Sequence, residues 1–181
     1  MSAARFRLAS VGVLVALAGA TLAAADVKVT TLVADGQVYA SFAVPSAYSS
    51  DARDVVKSGL PLSCVFTVDL KRSTTLWFDR TIASATVMSS VKFDTLTGTY
   101  QVSKQEDDKV IWSDRTEQED QMRAWLTAFD RVAITAPDPL EPNAEYYVQV
   151  RLHVTPRRTF SLWPPWGHDD GSGRADFTFI R

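Results

Sequence analysis

Leu140-Glu141-Pro142-Asn143-Ala144-Glu145-Tyr146, with the run Tyr147-Val148-Gln149-Val150-Arg151-Leu152-His153-Val154-Thr155 behind it, decides the fold. Tyr146, Val148, Val150, Leu152 and Val154 alternate with Gln149, Arg151, His153 and Thr155, the period-two pattern of a strand with one apolar face. The same period recurs outward from this run. Val27, Val29, Thr31 and Val33 share one face against Lys28, Thr30 and Leu32, and Val38, Ala40, Phe42 and Val44 resume it after Asp35-Gly36. An Asp-Gly between two alternating runs is a hairpin signal, because both central positions of a type I′ turn need positive φ. Pro45 ends the second strand. Leu62, Cys64, Phe66, Val68 and Leu70 predict another strand, and 76–93 a long one with a bend or bulge near Ser89-Ser90. Tyr100 and Val102, 110–112, Val132 with Ile134, and Phe177 with Phe179 mark the rest.

Leu-x-Pro-x-x-x-Tyr ahead of a penultimate strand resembles the tyrosine corner of immunoglobulin-like and fibronectin type III sandwiches, where the hydroxyl bonds upstream backbone across a Greek-key crossing. The same seven residues also read as an ordinary loop ending in a strand tyrosine. With many short alternating strands around it, the expected fold is mostly β. It is an immunoglobulin/fibronectin-like antiparallel β-sandwich with one or two helical insertions.

The insertions are legible. Residues 50–58 read as a short helix closed by Gly59, a residue type common just past a helix end. In 116–129, Met122, Trp125, Leu126 and Phe129 fall on one helical face. Thr116 and Glu119 fit a capping box, and Glu117, Glu119 and Asp120 suit the positive end of the helix dipole. This helix is expected to lie over an open side or end of the sheet.

Residues 1–25 have the form of a secretory signal peptide: Arg5 and Arg7, an apolar run over 8–25, and Ala23-Ala24-Ala25 as a small-residue end. Ala18-Gly19-Ala20 is an alternative cleavage site, and an uncleaved anchor is the other reading. Cleavage leaves one domain over 26–181, with no transmembrane span and an extracytoplasmic (periplasmic or secreted) location. The chain of 181 residues is 46% hydrophobic and 22% charged, the balance of a soluble globular protein. Its net charge of −2 becomes −4 once Arg5 and Arg7 are gone, so no nucleic-acid partner is expected. One cysteine, Cys64, excludes a disulfide framework, and its inward phase marks it as an inert core residue.

No catalytic constellation is read. Gly-x-Ser-x-Gly, His-Glu-x-x-His and P-loop patterns do not occur. His153 falls on the polar face of its strand. Asp107-Asp108 and the acids near 117–120 fit a turn and a helix start. Asp170, Ser172 and Asp176 imitate part of a calcium loop, but Arg174 stands where an oxygen ligand is needed. Neither a metal nor a cofactor is expected. One segment stands out: 156–175, about 20 residues, exceeds the usual length of a structureless loop. It carries Arg157, Arg158, Phe160, Leu162, Trp163 and Trp166 around Pro164-Pro165, either as a cap on one end of the fold or as a binding patch.

Ser58-Gly59-Leu60-Pro61-Leu62, Trp77-Phe78-Asp79 and 91–102, centred on Asp94-x-Leu96-Thr97, together with the strand over 140–152, resemble the bacterial domain-of-unknown-function family 4390. Gly98 and Gln101 stand where that family carries arginines. The resemblance implies an exported protein and no particular activity. The leading expectation is therefore a non-enzymatic exported sandwich that binds a protein or cell-envelope component through its strand edges and the 160–166 loop. A small-ligand carrier or sensor, with an apolar pocket between the Trp125 helix and the sheet, is the alternative. A hydrolase with a site around His168 stands third.

Overall fold

The computed structural model describes residues 27–34, 37–74, 78–136, 140–155 and 171–179. Nine strands are ordered along them: β1 (Lys28–Ala34), β2 (Gln37–Ala43), β3 (Leu62–Arg72), β4 (Arg80–Asp94), β5 (Thr99–Glu106), β6 (Lys109–Thr116), β7 (Ala128–Ile134), β8 (Glu145–Thr155) and β9 (Gly171–Thr178). Helix α1 (Ser50–Lys57) joins β2 to β3, and α2 (Glu119–Thr127) joins β6 to β7. Every strand pair is antiparallel, in one sheet of order β1-β2-β7 and another of order β6-β5-β4-β3-β8-β9.

The period-two pattern produces the core directly. Leu62, Cys64, Phe66, Val68 and Leu70 of β3 and Val148, Val150 and Leu152 of β8 turn inward and are at most 1% exposed. They face Val38, Ala40 and Phe42 of β2 and Phe129, Val132 and Ile134 of β7 across the gap between the sheets. Phe42, Phe66 and Phe129 meet at its centre, with ring centroids 5.2–5.5 Å apart in tilted, stacked and edge-on pairs. β1 pairs with β2 from Lys28↔Ala43 to Ala34↔Gln37, the register of a hairpin closing over 35–36, although Asp35 and Gly36 lie outside the described residues.

The corner stretch folds as its sequence suggests. Tyr146 is 4% exposed, and its hydroxyl accepts the backbone N–H of Glu141 at 2.9 Å. Asn143 takes a left-handed conformation (φ 59°), as asparagine tolerates better than most residues. Its N–H reaches the carbonyl of Phe179 at 2.8 Å, while the Phe179 N–H returns to Ala144 O at 3.2 Å. The loop entering β8 is thereby tied to the chain leaving β9.

Three local expectations are corrected. The expected irregularity at Ser89-Ser90 is not a bulge: β4 keeps continuous register there with β3 and β5, and the register shift lies where Leu70 and Lys71 of β3 face Ala83 and Thr81. Ser89 is small because it is fully buried beneath α2, where its Oγ donates to Leu126 O at 2.5 Å. The predicted helix over 116–129 is shorter at both ends, and its capping box does not form. Thr116 stays in β6, its hydroxyl accepting from Gln118 N and donating to Gln121, while Glu119 turns to other partners; Phe129 already belongs to β7. Finally, 171–175 is strand rather than loop. Gly171-Ser172-Gly173 looks like a turn in sequence, yet Gly173 sits in β9 against Val27, and a Cβ there would fall 2.6 Å from that of Val27. The glycine answers to close packing.

Candidate functional site

The residues singled out for binding, Arg157, Arg158, Phe160, Leu162, Trp163 and Trp166, lie outside the described residues, as do Trp77 and His168. Thr155 and Gly171, the residues on either side of 156–170, are described. Thr155 is opposite Ser63, Leu62 is opposite Val91, and Asp94 is opposite Thr99. The link from α1 into β3, the β4–β5 turn and the ends of β8 and β9 therefore share one end of the molecule.

The first two of these are held by their own hydrogen bonds. The Ser49 hydroxyl caps α1 by accepting from Ala52 N at 3.3 Å, and Ala52, Val55 and Val56 bury the helix's apolar face. At its exit, Ser58 Oγ donates to Val55 O and Gly59 adopts φ +81° beside Thr95, as the glycine after 50–58 predicts. In the turn after β4, Asp94 accepts from the N–H groups of Leu96 (2.9 Å) and Thr97 (3.3 Å), which hold its carboxyl below the usual range. Gly98 closes that turn at φ +69°, a left-handed conformation that glycine adopts without steric cost. The outcome is two leucines presented to solvent at the same end: Leu60 at 52% and Leu96 at 95% exposure.

Beside them lies a charged cluster the sequence does not reveal. Glu119 receives Arg53 in two-point contact at 2.6 and 3.1 Å, Lys57 at 3.1 Å, and the hydroxyls of Tyr48 (3.4 Å) and Tyr100 (3.3 Å). The Lys57 ammonium lies over the rings of Phe93 and Tyr100 at 5.2 and 5.0 Å. Burial works to raise the Glu119 carboxyl, but its hydrogen bonds and charges from Arg53 and Lys57 outweigh that and leave it below its ordinary value. Burial and the Glu119 charge push the Tyr48 hydroxyl up. Neither group exchanges protons near neutrality, so the cluster works as a clamp joining α1, α2 and β5. An open cleft of about 740 Å³ lies between the starts of the two helices, lined by Tyr48, Arg53, Gln118, Glu119 and Arg123 among others. Arg53 and Lys57 at i and i+4 were the only hint of a shared partner.

The outer face of the larger sheet holds the polar residues that alternation puts there, bound to each other. Asp69, only 4% exposed, accepts from Ser84 Oγ and Arg151, both at 2.7 Å. Lys71 donates to Gln149, and Tyr147 donates to Asp79 at 2.8 Å. Arg174 stacks on Tyr147 at 3.6 Å and pairs with Asp176, so the arginine that spoils the calcium-loop pattern also occupies one of its carboxylates. His153 is exposed on this face. Asp107 and Asp108 form the β5–β6 turn, both at positive φ, and Cys64 is a core residue. Among the described residues, no three His, Cys, Asp or Glu side chains gather as a metal-holding group, and no helix is long and apolar enough to cross a membrane.

The expected apolar pocket under the Trp125 helix is occupied by protein. Met122 and Leu126 are fully buried against the sheet, and Trp125 is packed edge-on to Trp112 at 5.0 Å. A family model described as a domain of unknown function (DUF4390) matches residues 22–158. No curated protein and no solved structure matches the chain.

Proposed function

The chain belongs to the DUF4390 family, and from that premise we propose that it is an exported, non-enzymatic binding protein. Its partner, a protein or cell-envelope component, is held at the end of an immunoglobulin/fibronectin-like sandwich where the connections 58–61 and 95–98 lie at the same end as the last residues of β8 and the first of β9. The convergence of those connections carries the reading. The order β1-β2-β7 matches strands A, B and E of a variable-type immunoglobulin domain, and β9-β8-β3-β4-β5 matches G, F, C, C′ and C″. β6 stands at the sequence place of strand D but joins the larger sheet instead. Tyr146 at the start of β8 then occupies the tyrosine-corner position of strand F. In variable domains the B–C, C′–C″ and F–G connections form the recognition surface. Here the corresponding connections contain α1 with Leu60, the turn with Leu96, and the aromatic segment with Trp163 and Trp166. Clamped helices and a hydrogen-bonded turn give this end a fixed shape, which lowers the ordering cost of binding. The basic and apolar form of 1–25 supports export.

Photo-crosslinking in the native cell tests the reading. A photoreactive residue at Leu96 should yield discrete adducts, and one at Phe78, equally apolar and 90% exposed but at the opposite end, should not. Trp163→Ala with Trp166→Ala should remove the Leu96 adducts without loss of the folded chain. The same adducts from both positions, or none from Leu96, overturns the proposal.

A further inference from the structure

We propose that two copies of this chain pair antiparallel along β6, joining their larger sheets into one continuous sheet across a two-fold axis. β6 is an edge strand: among the described residues its only sheet neighbour is β5. An unpaired edge exposes a row of amide and carbonyl groups to any matching strand. Its apolar residues are also uncovered, with Val110 at 61% and Ile111 at 55% exposure.

What selects a second copy is the order of charges in Asp108-Lys109-Val110-Ile111-Trp112-Ser113-Asp114-Arg115. Laid antiparallel on itself, β6 brings Lys109 to Asp114, Val110 to Ser113 and Ile111 to Trp112, each pair occurring twice, with Asp108 of the preceding turn at the level of Arg115. Opposite charges directly across a ladder are favourable and like charges are not. Among the described residues, Asp108, Lys109 and Arg115 form no ion pair within the chain. Among the described residues, the Asp114 carboxylate is engaged by the backbone N–H of Arg115 alone.

The backbone supports the same register. A regular strand could not adopt it, because it opposes residues of unlike parity while outward-facing amides recur at every second residue. β6 is irregular at one point. Lys109 and Val110 face Glu106 and Gln105, whereas Trp112, Ser113 and Asp114 face Lys104, Ser103 and Val102. Ile111 is the extra residue, so Lys109 and Asp114 share one phase and Val110 and Ser113 share the other. A bulge discourages an ordinary intruding strand, but a copy carrying the same bulge at the axis fits. Helix α2 overlies β4, β5 and β6 on the Trp112 face. Its centre over β5 would put two such helices on the order of 14 Å apart at ordinary strand spacing, leaving room for both Trp112–Trp125 pairs between them. The contact is isologous, as two-fold pairing requires, and uses none of the residues of the proposed binding end.

Sedimentation equilibrium on the chain, purified as the cell processes it, provides the test. The wild type should show a concentration-dependent dimer. Asp114→Lys turns two attractive pairs repulsive and should weaken it roughly 30-fold. Combining it with Lys109→Asp restores opposite signs and should restore the dimer. Ile111→Asp should leave a monomer with unchanged circular dichroism. A wild type that stays monomeric, a dimer indifferent to Asp114→Lys, or a charge swap that fails to rescue overturns the proposal. None of these results bears on crosslinking at Leu96.

Discussion

Tyr146→Phe isolates the one hydroxyl on which the corner depends. The ring is 4% exposed and stacks on Phe177 at 5.9 Å, and phenylalanine keeps both the stack and the volume, so no cavity opens. What disappears is the acceptor for the Glu141 N–H at 2.9 Å, a part-buried bond. A typical intramolecular bond contributes about 0.5–1.5 kcal/mol, and a buried donor left unpaired costs about 1–3 kcal/mol. Partial burial places the expected loss at about 1–2 kcal/mol, or roughly 3–6 °C in melting temperature for a domain of this size. Urea unfolding should show a lower midpoint with an unchanged slope, since the surface exposed on unfolding is the same. Amide exchange at Glu141 should accelerate selectively. A loss under about 0.3 kcal/mol would mean that the hydroxyl contributes no more than an exposed tyrosine and that Pro142 and the Asn143–Phe179 bond set the corner.

Ser89→Ala should cost about 1–3 kcal/mol in the same denaturation experiment, because the buried Leu126 carbonyl loses its donor; Ser89→Val should do no better, since extra bulk under α2 is also unfavourable. The Glu119 clamp should give acid-dependent stability. Its carboxyl is held below the ordinary value near 4.5, so the contribution is complete above that pH and is lost as pH falls through the lower folded-state value. Glu119→Gln should therefore be less stable than wild type near neutrality, with the two stability curves converging in acid; parallel curves would exclude the clamp.

Short-range order along the chain carried much of the architecture. The alternation in β2, β3 and β8, the cap and closing glycine around α1, and the seven residues ending in Tyr146 each depend on neighbours a few positions apart. Side-chain phase repeats every two residues in a strand and every three or four in a helix, so such features are written locally. The end that presents Leu60 and Leu96 was not visible in the sequence, because neither 58–61 nor 95–98 carries any mark of the other. Leu60 and Leu96 are 36 positions apart and share an end because β3 and β4 pair from Leu62↔Val91.

Where local rules misled, a distant residue had taken over the role. Glu119 sits at capping-box spacing from Thr116, yet Arg53, 66 residues earlier, and Lys57 claim its carboxylate. Gly173 has the composition of a turn but answers to Val27 on the far side of the sequence. Asp69 is in polar phase on β3, but Ser84 and Arg151 from the flanking strands bury it. The sequence by itself determined most of the strands, the place of both helices, which of their faces are apolar, and the stretch that ends in Tyr146. Only the tertiary structure decided the order of strands in each sheet, the partners of the charged groups, and the company kept by each loop. Those outcomes depend on segments dozens of residues apart arriving at the same place, and no periodicity along a single chain encodes that.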